Sequence, residues 1–271
     1  MAIAIFIINL IQKCRNDDIM ARSAELTYRV LLAFFPFLVF LMALVGFLQL
    51  EESVVLQDFY AVLPEDVAEL VRNFLSELSL AQSRGLLSTG LFFAVYNTTN
   101  GFRAVIRCIN RAFGVEDPRG LVKRVLLSLA LMLLFTLSIL FMAGALIFGA
   151  EIWAFFLPNA PGFLFNAARV VGSLTLLTFT TMLIYKFSCA VKLKLRHVLP
   201  GAALTVTLWS VASALFGIFM ANFSQFPAVY GSIAGVFILI LWLNLISIIL
   251  LVGNEFNALL YPSPPWKQFT S

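Results

Sequence analysis

The chain reads as an all-α polytopic membrane protein with six transmembrane helices, the second interrupted, plus an outer amphipathic helix. Three observations predict this. Of its 271 residues, 61% are hydrophobic and only 12% charged, whereas a soluble domain is nearer 25% charged. Five long apolar runs stand out, about Leu26–Leu50, Val125–Ala150, Val170–Cys189, Val198–Ala221 and Tyr230–Leu251. They do not alternate as barrel strands do, and a helix satisfies its own backbone hydrogen bonds inside a bilayer. Finally, the apolar run Leu86–Tyr96 is shorter than the roughly 20 residues a span needs. It breaks at Asn97–Gly101 and resumes as the amphipathic stretch Phe102–Phe113. That interrupted segment is the sixth span.

The chain forms one membrane domain, residues 1–271. Residues 1–22 read as an interfacial N-terminal segment: Met1–Leu10 is apolar but too short to span, and it lacks the basic start and cleavage site of a signal peptide. In the first span, Pro36 removes an amide donor and is expected to kink the helix. Residues 51–84 form an outer loop. Pro64-Glu65-Asp66 is a helix-start pattern, and Val67, Leu70, Val71, Phe74, Leu75 and Leu78 make an apolar face suited to packing. Gly114 through Pro118 ends the arginine-bearing helix in a turn. Gly144 and Gly149 read as close-packing points in the next span. The Gly231–Gly235 spacing reads as a small-residue packing pattern at the start of the last span. Residues 261–271 form a proline-rich cytoplasmic tail.

Charge orients the chain. With the N-terminus in the cytoplasm, 15 of the 18 basic residues fall on the inner side, leaving only Arg72, Arg84 and Arg169 outside. Such asymmetry predicts a multi-pass inner-membrane protein with both termini cytoplasmic. The outer stretch Glu51–Arg84 carries seven of the 14 acidic residues. The net charge of +4 therefore follows topology, and no nucleic acid is implied as a partner. Cys14, Cys108 and Cys189 all fall toward the cytoplasm. Their odd number there argues against a disulfide framework, and no pair has metal-site spacing.

The functional signal is polar chemistry at membrane depth. At about 100° per residue, Arg103, Arg107, Asn110 and Arg111 share one face, opposite Phe102, Val105, Ile106, Ile109 and Phe113. Such groups are costly in a bilayer and usually have a role or a partner. Above them lie Asn97 and Asn100 at the break. Glu25 sits at i+3 from Arg22 and i−4 from Arg29. It reads either as a local i,i+4 pair or as a carboxylate placed against Arg103 or Arg107 across the bundle. Asn244 lies deep in the last span and suits an interhelical hydrogen bond. Glu255 lies at its inner end, where it can meet the arginine stripe. Glu25, Asn97, Asn100, Arg103, Arg107, Asn110, Asn244 and Glu255 are the candidate substrate-binding residues. His197, the only histidine, reads as an interfacial residue.

Several stretches together resemble the YihY/BrkB family of bacterial inner-membrane proteins. They are Ala24-Glu25-Leu26-Thr27-Tyr28 through Pro36, Gly101-Phe102-Arg103 through Val115, Leu199-Pro200-Gly201-Ala202, and Tyr230-Gly231-Ser232 through Gly253-Asn254-Glu255-Phe256-Asn257-Ala258. Their order across most of the chain carries the resemblance. One departure is Arg29, where the family often has a second aromatic. The resemblance implies a six-helix protein tied to envelope integrity or serum resistance, with a role proposed in moving lipids or other envelope components.

The family has also carried a ribonuclease label. The residues argue against it, because metal-dependent RNA cleavage gathers carboxylates or histidines around metal ions. Here the acid pairs Asp17-Asp18 and Glu116-Asp117 sit in turns between basic residues. No serine lies in an elbow motif, and no glycine-rich Lys-Ser/Thr loop binds nucleotide. The chain therefore reads as a non-enzyme without cofactor or metal. Two functions fit: transport or flipping of an anionic lipid or lipid-linked envelope precursor, and a non-transporting envelope scaffold that binds anionic membrane lipids or partner proteins.

Overall fold

The computed structural model describes residues 2–47, 68–69, 84–156, 162–222 and 232–261. Seven long helices are described: α1 Ala2–Asn16, α2 Ile19–Phe47, α3 Arg84–Ala112, α4 Leu121–Phe156, α5 Gly162–Ser188, α6 Leu195–Asn222 and α7 Ser232–Leu260. The protein is all-α across these residues. Among the described residues, four segments are long and apolar enough to cross a membrane: Leu121–Ala145, Gly162–Ser188, Leu195–Met220 and Gly235–Leu260. Of the outer amphipathic helix only Ala68 and Glu69 are described. Both are helical, Ala68 buried and Glu69 exposed. The rest of residues 48–83, Gly231 and the tail beyond Tyr261 lie outside the described residues.

The interruption expected at Asn97–Gly101 is corrected, because α3 runs as one helix from Arg84 to Ala112. Two local causes are visible. The Asn97 amide donates to the Phe93 carbonyl one turn back (2.9 Å), so its polarity is satisfied within the helix. Gly101 serves as a contact rather than a break: a Cβ there would stand 3.5 Å from Ala33 Cβ on α2. The end of α3 matches expectation. Gly114 adopts φ +65°, and the bonds Val115 N to Asn110 O (3.1 Å) and Gly114 N to Arg111 O (2.8 Å) form a Schellman cap. At the other boundary, the Asp17-Asp18 turn separates α1 from α2, with Asp18 at φ 50°, so residues 19–22 already belong to α2.

The helices α2 through α7 pack in a closed ring, each against its chain neighbours, with α7 returning to α2. The start of α1 and the last turns of α7 meet through the Phe6–Phe256 ring pair (5.3 Å), so α1 and the end of α7 lie at one end of the bundle. The main core sits toward that end, built on Leu26, Ile109, Leu131, Tyr185, Val198 and Leu251. A smaller cluster of Ile238, Leu239 and Leu243 lies further from it.

The tightest crossing is between α6 and α7. A Cβ at Gly201 would overlap the Gly253 carbonyl and the Asn257 side chain, and one at Gly253 would overlap Thr205 Oγ1. The backbones can approach only because both positions are glycine. Gly144 meets nothing within 4 Å and Gly149 makes only an ordinary 3.9 Å contact. Neither is the close-packing point expected of it. Asn257 closes the crossing by accepting from Gly201 N (2.7 Å) and donating to Val198 O (3.2 Å). Pro200 lies inside α6, so the Arg196 carbonyl loses its helical donor. The Tyr261 hydroxyl donates to that carbonyl instead (3.4 Å).

Candidate functional site

Packing of α2 against α3 brings Glu25 to Arg107. Glu25 Oε1 accepts from Arg29 Nε (2.9 Å) on its own helix and from Arg107 Nη2 (3.3 Å) on α3. Both arrangements expected of Glu25 therefore hold at once. The side chains of Arg29, Glu25 and Arg107 are 39%, 49% and 50% exposed. Exposed pairs of this kind contribute about 0–1 kcal/mol to stability. The cluster matters more for the charge it presents, two guanidiniums around one carboxylate. Arg103, one turn away and half-buried, donates to Asn100 Oδ1 (3.4 Å). Arg111 is exposed.

The other candidates separate from this cluster. Asn110 is buried and donates to Ile106 O (2.7 Å) and Ser188 O (2.9 Å), while its oxygen accepts from Ala190 N (2.6 Å). It clamps α3 to the end of α5. Arg119 supports the same helix end by donating to Phe187 O (3.2 Å) and Cys189 O (2.6 Å), where a cation also complements the helix dipole. Asp117 lies between Arg119 (3.6 Å) and Arg124 (3.5 Å).

Glu255 does not reach the arginine stripe. It is buried on α7, and Lys13 Nζ of α1 stands 3.0 Å from its carboxylate. Lys13 also donates to Ala112 O (2.9 Å) and to Asp17 Oδ2 (3.0 Å). One ammonium thus ties α1, α3 and α7 together. Burial pulls the Lys13 ammonium down, but the Glu255 and Asp17 carboxylates more than offset this and hold it above the ordinary lysine value. Burial, with Glu255 beside it, pushes the Cys14 thiol up to about 11.

Among the described residues Asn244 does not make the expected interhelical bond, and its buried Oδ1 has no hydrogen-bond partner there. Ser247, one turn on, makes the link instead through the Thr27 hydroxyl (3.3 Å). Ser138 and Thr180 each bond back to the carbonyl four residues earlier, and Thr180 also donates to Ser138 Oγ across α4 and α5 (2.9 Å). Thr98, Thr99 and Thr136 are buried, and their hydroxyls have no hydrogen-bond partner among the described residues.

Sequence reasoning missed the buried link Tyr185–Thr205. The two hydroxyl oxygens are 2.7 Å apart, and Tyr185 also donates to Leu250 O (2.6 Å), joining α5, α6 and α7. A tyrosine within an apolar run gives no signal of a partner on another helix. The role of Lys13 was equally hidden, because its partner is 242 residues away in the chain.

Comparison with known proteins identifies relatives of the chain. The family model described as virulence factor BrkB matches residues 10–265. The chain is 34% identical over 247 residues to YfkH of Bacillus subtilis (strain 168), whose name calls it ribonuclease-like; the match covers 89% of this chain and 90% of YfkH. It is 26% identical over 254 residues to a UPF0761 membrane protein of Pseudomonas aeruginosa (strain LESB58), covering 91% of this chain and 60% of that protein. A UPF0761 membrane protein of Laribacter hongkongensis (strain HLHK9) is 27% identical over 260 residues, with 59% of its length covered. The chain thus spans about three fifths of these longer relatives. No solved structure matches the chain.

Proposed function

We propose, for a chain that belongs to the virulence factor BrkB family, that this integral membrane protein moves an anionic lipid or lipid-linked envelope precursor across the bacterial inner membrane. In this reading α2 through α7 are the six spans and both termini are cytoplasmic, in line with the basic residues concentrated at the α1 end. The observation that carries the reading is the Arg29–Glu25–Arg107 cluster at the junction of α2 and α3. Two guanidiniums already arranged around a carboxylate offer the fork geometry that suits a phosphate or carboxylate headgroup. Glu25 acts as the resident anion that a headgroup displaces. Arg103, Asn100 and Asn97 extend the polar face, and Asn244 on α7 adds a buried amide oxygen open to a polar partner. Asn110 and Glu255 hold the inner end together. The passage is driven by a gradient or an envelope partner, because the sequence offers no nucleotide-binding loop.

A second reading is favoured by the half-exposed state of Arg107: a non-transporting scaffold that holds anionic headgroups or partner proteins at the inner surface. Basic side chains gain about 1 kcal/mol each there. We place no ribonuclease activity on the chain, since YfkH is ribonuclease-like by name and, among the described residues, Asp17-Asp18 and Glu116-Asp117 lie between helices while Glu25 and Glu255 are held in ion pairs.

Reconstitution separates the two readings. Purified protein in vesicles is expected to move fluorescently labelled phosphatidylglycerol between leaflets, and Arg107→Ala or Arg103→Ala to abolish that movement. Headgroup binding without movement of labelled phospholipid or lipid-linked sugar, even with envelope partners present, leaves the scaffold.

A further inference from the structure

The polar face of α3 points out of the ring. At about 100° per residue, Phe93, Tyr96, Asn100, Arg103, Arg107 and Arg111 fall within an arc of roughly 80°. That arc lies opposite Ile109, which is fully buried. Exposure agrees: Phe93, Tyr96, Arg107 and Arg111 are exposed, and Asn100 and Arg103 are half-buried. On α2, Glu25, Tyr28 and Leu32 share an arc of about 60° on the side away from Leu26, and all three are exposed. The Glu25–Arg107 contact (3.3 Å) sets the two outward faces side by side. Inside the ring, the inner end is filled by the main core.

The polar stripe also climbs. Arg107, Arg103 and Asn100 stand about 8, 14 and 18 Å along the axis from Ala112, whose carbonyl receives Lys13 at the inner end. In the six-span reading, half the hydrocarbon core is about 15 Å. The stripe thus reaches the bilayer middle on a surface that meets lipid, where guanidiniums are costly without a partner. Glu25 is the sole acid of α2 and α3, and it faces Arg29, Arg103, Arg107 and Arg111. The surface therefore keeps a surplus of positive charge. A second copy would bring the same surplus and be repelled. An anionic lipid complements it. Tyr28 and Leu32 lie on the outer side of Glu25 along α2, and Tyr96 and Phe93 on the outer side of Asn100 along α3. Charge toward the inner surface and apolar side chains above it is the order of an inner-leaflet lipid.

We propose that an anionic phospholipid of the inner leaflet docks from the bilayer onto the outside of the α2–α3 pair, its headgroup on Arg29 and Arg107 and an acyl chain against Tyr28 and Leu32. Arg103 and Asn100 form the next rung, along which the headgroup climbs toward the membrane middle while its chains stay in the bilayer. Two guanidiniums in reach of one phosphate suit the first position. The inference rests on the lipid-moving reading and names its route, the outer surface of the ring instead of its interior.

The test is photocapture of lipid by the full-length protein in vesicles of equal parts phosphatidylglycerol and phosphatidylcholine. The photoreactive residue p-benzoylphenylalanine is placed at Tyr28 or, as the control, at Leu137. Leu137 is also exposed and lies two residues from Phe135, which meets Phe102 of α3, so it samples bulk lipid at similar depth. Mass spectrometry of the adducts is expected to show phosphatidylglycerol enriched about tenfold at Tyr28, the equivalent of one charge-assisted hydrogen bond. At Leu137 the adducts are expected to match the vesicle. Arg107→Gln is expected to remove the enrichment. Arg103→Gln is expected to keep it while slowing lipid movement at least about tenfold. Equal ratios at Tyr28 and Leu137, or enrichment that survives Arg107→Gln, overturn the docking site. Enrichment abolished by excess soluble glycerol phosphate overturns the acyl-chain contact. Normal movement in Arg103→Gln overturns the climb. Enrichment at Tyr28 without lipid movement in the parent protein removes the transport reading and the climb but leaves the docked lipid, whereas movement without enrichment removes only this site.

Discussion

Gly201 and Gly253 face each other where α6 crosses α7, and neither position has room for a Cβ. Gly253→Ala would push a methyl into Thr205 Oγ1 and toward the Tyr185 hydroxyl. Overpacking of this kind costs about 1–3 kcal/mol. Gly253→Ala and Gly201→Ala should each lower the thermal midpoint in detergent, while Gly172→Ala, with open space around it, should leave it unchanged. Equal midpoints for all three would mean that the crossing is looser than drawn.

Lys13 and Glu255 join α1 to α7 across a buried contact. Removing only the ammonium leaves a buried carboxylate uncompensated, which costs about 3–5 kcal/mol. Lys13→Met is thus expected to destabilise strongly, and adding Glu255→Gln to recover much of the loss. The pH dependence has a definite sign. Because the folded-state Lys13 value is raised above 10.5, its stabilisation is complete below 10.5 and disappears as pH rises through the raised value. A denaturation series from pH 8 to 12 reads both effects.

Cys14 should be a sluggish nucleophile. With its thiol near 11 instead of 9, the reactive thiolate at pH 8 is about 100-fold scarcer than in an ordinary cysteine. Glu255→Gln removes a neighbouring negative charge and should speed alkylation of Cys14, read by mass spectrometry of the labelled peptide. A rate equal to that of free cysteine would contradict the buried setting.

Asn110 directs its amide wholly to backbone groups. Asn110→Ala strands buried polar groups at the end of α5, at about 1–3 kcal/mol for each. The variant should lose stability yet bind anionic vesicles like the parent once folded. Arg107→Ala should show the reverse pattern: near-normal stability and weaker vesicle binding.

The misreadings along the chain share one cause. Asn97 looked like a helix break because its polarity is visible in sequence, while the Phe93 carbonyl that absorbs it is not. Gly144 and Gly149 looked as suited to close packing as Gly201 and Gly253, since a glycine does not announce which neighbour it meets. The pairing of Glu25 with Arg107 was legible because both are charged residues at one predicted depth on consecutive spans. Glu255 went to Lys13 instead of the arginines because α1 folds back under α7, a placement its apolar composition could not reveal.

Composition and run length alone determined that the chain is an α-helical membrane protein. They also located most of its helices and showed that positive charge gathers toward one side. Those properties follow from local chemistry: apolar length against bilayer thickness, and self-contained backbone hydrogen bonds. Tertiary structure alone decided that α3 is continuous, that α6 and α7 cross at two glycines, that one lysine joins three helices, and that a buried tyrosine hydroxyl joins α5, α6 and α7. Each of these depends on helix register and rotation against neighbours. Packing across the whole ring sets both, and no single segment encodes them.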